Sequence, residues 1–180
     1  LYENVAANSV GDEIIVVHAI AGEPTTPLRA VEDVANTGAW HFVPDVSSST
    51  TRRARTVDDI AAATLGQRRI RLLKIDVEGM ELSALRSAQA TLATSRPFVY
   101  CEISAEQLGR QGVAVADLDR FFGERRYALY RNVGDRNSTH DEFTIARLPN
   151  LEAGGVFFDV LAVPGEEVAA LTDQRKLPGR

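Results

Sequence analysis

The sequence predicts an α/β domain with a mostly parallel sheet and an antiparallel closing pair, and three observations point there. Leu72-Leu-Lys-Ile-Asp-Val77 is a nearly continuous apolar run of strand length, the pattern of a strand covered on both faces. Leu82, Leu85, Ala88 and Leu92 then recur at helical spacing, and Phe98 to Ile103 forms a second strand-like run after Pro97. Strand, helix and strand in that order imply parallel strands joined by right-handed crossovers.

A chain of 180 residues with 44% hydrophobic content carries one domain and its own core. We expect that domain over residues 1–163, followed by a polar tail over 164–180. The N-terminal stretch Leu1-Tyr-Glu-Asn-Val-Ala-Ala-Asn8 reads as the end of a helix already under way, so the domain is expected to lack its first part. Ser9-Val-Gly-Asp12 is turn chemistry, and Glu13 to Ile20 is a β-branched run, with Ile14 to His18 expected to pair in parallel beside the other two strands. From Thr25 to Arg55 neither period is sustained, which predicts a long excursion with one short hairpin, and long excursions often sit over a site.

Thr56 is placed to cap a helix with Val57, Ile60, Ala61 and Leu65 on one face, Asp58 and Asp59 in its first turn, and Gly66 at its end. Ser104-Ala-Glu-Gln107 has the form of a capping box, and Val115, Leu118 and Phe122 mark a further helix. Tyr127 to Tyr130 and Val156 to Val163 are the expected antiparallel pair, joined by the polar stretch Asn132 to Gly155. A short helix is expected at Glu166 to Leu171.

The net charge of −5 and 20 basic residues, scattered apart from short runs such as Arg52-Arg53, Arg68-Arg69 and Arg125-Arg126, outline no surface for a phosphate backbone, so no nucleic-acid partner is expected. The single cysteine, Cys101, lies in an apolar run and reads as a buried thiol in a reducing compartment. No apolar stretch approaches the roughly 18 residues of a membrane span, and no signal pattern opens the chain, so a soluble cytoplasmic protein is expected.

In open α/β sheets, ligands bind at the carboxyl ends of the strands, which directs attention to His18 to Ile20, Asp76 to Gly79 and Glu102 to Ser104. If strand geometry holds through Val77, Asp76 and Glu78 project to one side and share a mouth with Glu102. An aspartate closing an apolar strand is desolvated unless it faces a crevice or a partner. Glu81 falls in the first turn of a helix, where the dipole suits a carboxylate, and Glu102 has a plain alternative in pairing with Lys74 or an arginine. Lys74 itself is read as pairing with an acid or reaching outward. His18, His41 and His140 share no metal-ligand spacing, and no metal site is predicted. Gly-x-Ser-x-Gly, Walker and Cys-x-x-Cys patterns do not occur. Trp40 beside His41 reads equally as a lid residue and as a loop anchor.

The stretch Leu73-Lys-Ile-Asp-Val-Glu-Gly-Met-Glu81, with Leu85, Ser95-Arg-Pro97 and Glu102, resembles the signature of the FkbM-type methyltransferases. The likeness extends through Glu3-Asn-Val-Ala-Ala-Asn8, Val17-His-Ala-Ile-Ala-Gly22, Asn36-Thr-Gly38 and Thr56-Val-Asp-Asp59, and more weakly to Asp159-Val-Leu-Ala-Val-Pro164. The resemblance implies a Rossmann-like class I methyltransferase sheet, S-adenosylmethionine as cofactor, and methyl transfer to a hydroxyl of a small acceptor, a sugar or natural product. It implies further that Asp76, Glu78 and Glu102 are catalytic, and that Asp76, Ala19 and Ile20 meet the cofactor, the last two near the adenine. The Gly-rich loop and the ribose-holding acid of the family have no counterpart in these 180 residues, so weak cofactor binding by this stretch alone is expected. A non-catalytic Rossmann-like interaction or regulatory module is the competing reading, and a nicotinamide-dependent oxidoreductase a third without a marked hydride-transfer site.

Overall fold

The structure, a computed structural model, describes residues 2–25, 27–32, 40–47, 51–133 and 144–172. Asn36-Thr-Gly38, His140, part of the serine and threonine run at 47–51, and the tail beyond 172 lie wholly or partly outside them.

Helix α1 spans Tyr2–Ala7. The β-branched run after it corrects the sequence reading, because Ile14 to His18 forms no strand. Among the described residues the nearest bridge lies just beyond, from Ala21 to Arg55, and Ile14 and Ile15 are 46% and 57% exposed. A β-rich run becomes a strand only when a neighbour takes its backbone N–H and C=O groups, and local composition does not name that neighbour. The excursion holds the expected hairpin, β1 (Leu28–Glu32) against β2 (Trp40–Pro44), with Leu28 opposite Pro44.

Helix α2 (Val57–Leu65) starts where Thr56 Oγ1 accepts the Asp59 N–H at 3.0 Å, and stops at Gly66 with φ of 59°. After β3 (Leu72–Ile75), the predicted single helix is two, α3 (Glu81–Arg86) and α4 (Gln89–Thr94). The break has a cause in α2: the Asp58 carboxylate accepts the N–H groups of Ala90 and Thr91, both at 2.8 Å, and so caps α4. Then follow β4 (Phe98–Ser104), α5 (Ala105–Arg110), α6 (Val115–Glu124), β5 (Tyr127–Asn132), β6 (Ile145–Leu148), β7 (Phe157–Pro164) and α7 (Val168–Thr172).

The main sheet has the order β3-β4-β7-β5-β6. Strands β3 and β4 pair in parallel as expected, and β5 pairs with β7 antiparallel as expected. The sheet as a whole is nonetheless mixed, since β4–β7 and β5–β6 are also antiparallel. The expectation of a mostly parallel sheet is thereby corrected. Strands β3, β4 and β5 do run the same way, but β7 enters between β4 and β5 in the opposite sense and replaces one parallel contact with two antiparallel ones.

One face of this sheet carries the main core. Val99, Cys101 and Ile103 of β4 and Phe158, Val160 and Ala162 of β7 alternate inward against Leu85, Leu92, Leu108, Leu118 and Phe122 from the helices. Full burial of each large apolar side chain contributes about 1.5–3 kcal/mol. Cys101 is fully buried, and burial raises its thiol well above the usual range, which leaves it unreactive. The opposite face has a smaller cluster, Ala128, Tyr130, Leu161 and Val163, covered in part by Val168 and Leu171 of α7. Arg96 holds that end: its Nε and Nη2 donate to both Glu166 oxygens at 2.8 and 2.9 Å, while the guanidinium lies 4.6 Å from the Tyr127 ring centre.

Candidate active site

The register carries one row of acids across three strands. Ile75 lies opposite Cys101, so Asp76 leaves β3 beside Glu102 of β4, which in turn faces Asp159 of β7. Asp76, Glu102 and Asp159 line a cavity of about 190 Å³ with Lys74, Tyr100 and Asn132. Lys74 Nζ donates to Asp76 Oδ2 at 2.8 Å, and that hydrogen bond, aided by the three acids, raises the lysine above its ordinary value. Lys74 is therefore a fixed cation beside Asp76. Asn132 Nδ2 donates to the Tyr100 hydroxyl at 3.3 Å, joining β5 to β4 at the same mouth.

Glu78 departs from this row. Strand β3 ends at Ile75, and Glu78 has a left-handed φ of 51°, followed by Gly79 at 102°. The shared mouth expected for Asp76 and Glu78 is corrected accordingly: Asp76 lines the acid cavity with Glu102, and Glu78 does not. Its Oε2 instead accepts from Gln107 Nε2 at the start of α5. A non-glycine residue at positive φ persists only where its surroundings impose it. The next position must be glycine on two counts, its φ and its space, since a Cβ there would lie 2.5 Å from the Gln107 carbonyl oxygen.

Glu81 stands in the first turn of α3, as expected, and it is buried there. It is only 2% exposed, its Oε1 accepts the Gly79 N–H at 3.1 Å, and its Oε2 has no hydrogen-bond partner among the described residues. Burial pushes its carboxyl above the ordinary value, against the opposing pull of nearby backbone N–H groups.

The β1–β2 hairpin lies against this turn. Gln111 Nε2 donates to the Phe42 carbonyl at 2.6 Å, and the Glu23 N–H donates to Ser83 Oγ at 2.9 Å. Leu28, Pro44, Gly79, Met80, Ser83 and Gln111 belong to the wall of a cavity of about 200 Å³ between hairpin and helix. Ile20 packs into the neighbouring cluster of Leu28, Ala54, Met80, Phe42 and Val77, and its carbonyl accepts the Arg55 N–H at 2.8 Å. Ala19 is exposed, and neither it nor Ile20 lines the acid cavity. His18 is exposed, and His41 is half-buried with Nδ1 unpartnered among the described residues.

Sequence reasoning missed Gln107 and Asp159. Half of the expected capping box is present, because Ser104 Oγ accepts the Gln107 N–H at 3.3 Å. The Gln107 side chain goes to Glu78, a partner 29 residues away that helical spacing does not reveal. Asp159 left a visible trace, a lone acid inside the apolar run Phe157 to Val163.

Among the described residues no group of three or more His, Cys, Asp or Glu forms a metal-holding set, and no helix is long and apolar enough to cross a membrane. Comparison with curated proteins and with solved structures gave no match. A sequence profile of the methyltransferase FkbM domain, in contrast, matches residues 1–131, a span that takes in the acid row as far as Glu102, the Glu78–Gly79 turn, Gln107 and Gln111. The chain belongs to the FkbM methyltransferase family.

Proposed function

We propose that this methyltransferase takes its methyl group from S-adenosylmethionine and passes it to a hydroxyl of a small acceptor, a sugar or natural product, on a Rossmann-like sheet. The observation that carries the reading is the locked turn at Glu78 and Gly79, inside the matched family domain and at the carboxyl end of β3, where open α/β sheets hold ligands.

The acid cavity fits one end of the cofactor. Its donor set, three carboxylates with one lysine, suits a cationic ammonium or sulfonium group and ribose hydroxyls. Its volume of about 190 Å³ falls below the roughly 300–1,000 Å³ of sites that enclose a whole ligand. Asp76 and Glu102 would hold that end, with Ala19 and Ile20 toward the adenine, since Ile20 and Val77 pack against the same cluster of Leu28, Ala54 and Met80. When bound, S-adenosylmethionine supplies an electrophilic methyl group.

Glu78 accepts the proton that the acceptor hydroxyl loses. Gln107 fixes its carboxylate, and the left-handed backbone turns it away from the acid row. Lys74 stays protonated and offsets part of the charge of the acid row rather than acting as a base.

Transfer of labelled methyl to a panel of hydroxylated acceptors tests this. Glu78→Gln should lower kcat about 10²-fold at saturating cofactor, the lower end of general-base contributions. Asp76→Asn should raise the KM for S-adenosylmethionine more than it lowers kcat. Unchanged kinetics in both variants would move the chemistry away from Glu78 and Asp76, whereas transfer to none of the acceptors would favour a non-catalytic role.

A further inference from the structure

We propose that Glu81 is a positioning residue that aims Glu78 by holding the Gly79 N–H. The inference rests on the role assigned above to Glu78. A buried carboxyl is an expensive way to fill space, because a leucine of similar volume would carry no desolvation cost. Glu81 is 2% exposed, and one of its two oxygens has no partner among the described residues, so packing does not explain the acid. What the acid offers and a leucine lacks is an acceptor, and the Gly79 N–H uses it at 3.1 Å.

That N–H is the backbone donor immediately after the left-handed Glu78. Two side chains from different helices therefore grip the turn: Gln107 of α5 at the Glu78 carboxylate, and Glu81 of α3 at the next peptide. Without the Glu81 acceptor the peptide between residues 78 and 79 is free to rotate, and Glu78 relaxes toward ordinary negative φ. A side chain at position 79 would have no room, since the Gln107 carbonyl fills the space beside its Cα. The carboxylate would then swing away from its working position, and a displacement on the order of 1 Å can cost about 10²-fold in rate.

The test compares Glu81→Gln, Glu81→Asp and Glu81→Ala with the parent chain by three measurements. These are the Gly79 amide resonance in a proton–nitrogen spectrum, kcat and KM at saturating acceptor, and the melting temperature. Gln keeps the acceptor, so its Gly79 resonance and kcat should stay near the parent, within about threefold in rate. Asp retracts the acceptor by one methylene and Ala removes it, so both should shift the Gly79 resonance and lower kcat at least about tenfold, with KM for S-adenosylmethionine little changed. If Ala does not fold, the Asp and Gln pair decides the matter alone. A Gly79 resonance that stays put in Glu81→Asp overturns the proposal, as does a kcat within threefold of the parent once Glu78→Gln has proved slow. If Glu78→Gln turns over like the parent, the proton-acceptor reading falls and this one with it, whereas the Gly79 resonance still reports whether the grip exists.

Discussion

The segment before residue 56 and the sheet that follows are built on different principles. Among the described residues of the first part, Leu28 and Ala54 are the only buried apolar side chains, whereas β4, β7 and the helices beneath them form a continuous core. The first part is attached at discrete points, Gln111 to Phe42 of the hairpin, Ser83 to Glu23 before it and Met80 among its apolar neighbours, and the sheet is held everywhere at once. An element held by a few contacts opens at low cost, and elements of that kind often cover binding sites. The acidic turn lies at the junction of the two, gripped by helices of the rigid part and covered from the loose part.

Three substitutions press on that contrast from opposite sides. Phe122→Ala removes the largest fully buried side chain and should cost about 3–5 kcal/mol by denaturant unfolding, with loss of the whole domain in one transition. Gln111→Ala should cost only about 1 kcal/mol globally, yet quicken proteolytic cleavage within residues 40–47 while the sheet stays intact. If both variants unfolded the chain equally, the two parts would be one cooperative unit and the contrast would fail.

The smallest effect belongs to the far end of the sheet. Arg96 holds the Glu166 carboxyl at about 2, below its ordinary value of 4.5. A depressed carboxyl stabilises the fold above the unfolded value and loses that contribution as pH falls from about 4.5 to about 2. Arg96→Ala should therefore flatten the acid side of the stability curve in melts between pH 5 and 2, by a modest amount because Glu166 is half exposed.

Local signals survived folding best where they were complete in themselves. Thr56 caps α2 with a partner three residues on, and β3 and β4 stand where apolar runs met glycine and proline because each is the other's neighbour across one helical crossover. Glu13 to Ile20 carried an equally good strand pattern and formed none, for want of a neighbour that the run could not specify. Asp76 and Glu102 were legible as a pair from their strand ends. A spacing of two puts Asp76 and Glu78 on one face only while the strand lasts, and β3 ends at Ile75. The capture of Glu78 by Gln107 and the entry of β7 beside β4 are contacts between distant segments, which periodicity does not encode.

The position of β7 also dictates an order of events. Strand β4 ends at residue 104 and its inner neighbour begins at 157, so the centre of the sheet is made from nearly the last part of the described chain to leave the ribosome. Until then β4 and β5 are not joined along that edge, and Val99, Cys101 and Ile103 lack their β7 neighbours Phe158, Val160 and Ala162. Long-range pairing of this sort slows folding and leaves apolar strands open during synthesis. The nascent chain is most open to aggregation in the interval between completing β4 and inserting β7, well after its acidic turn has been synthesised.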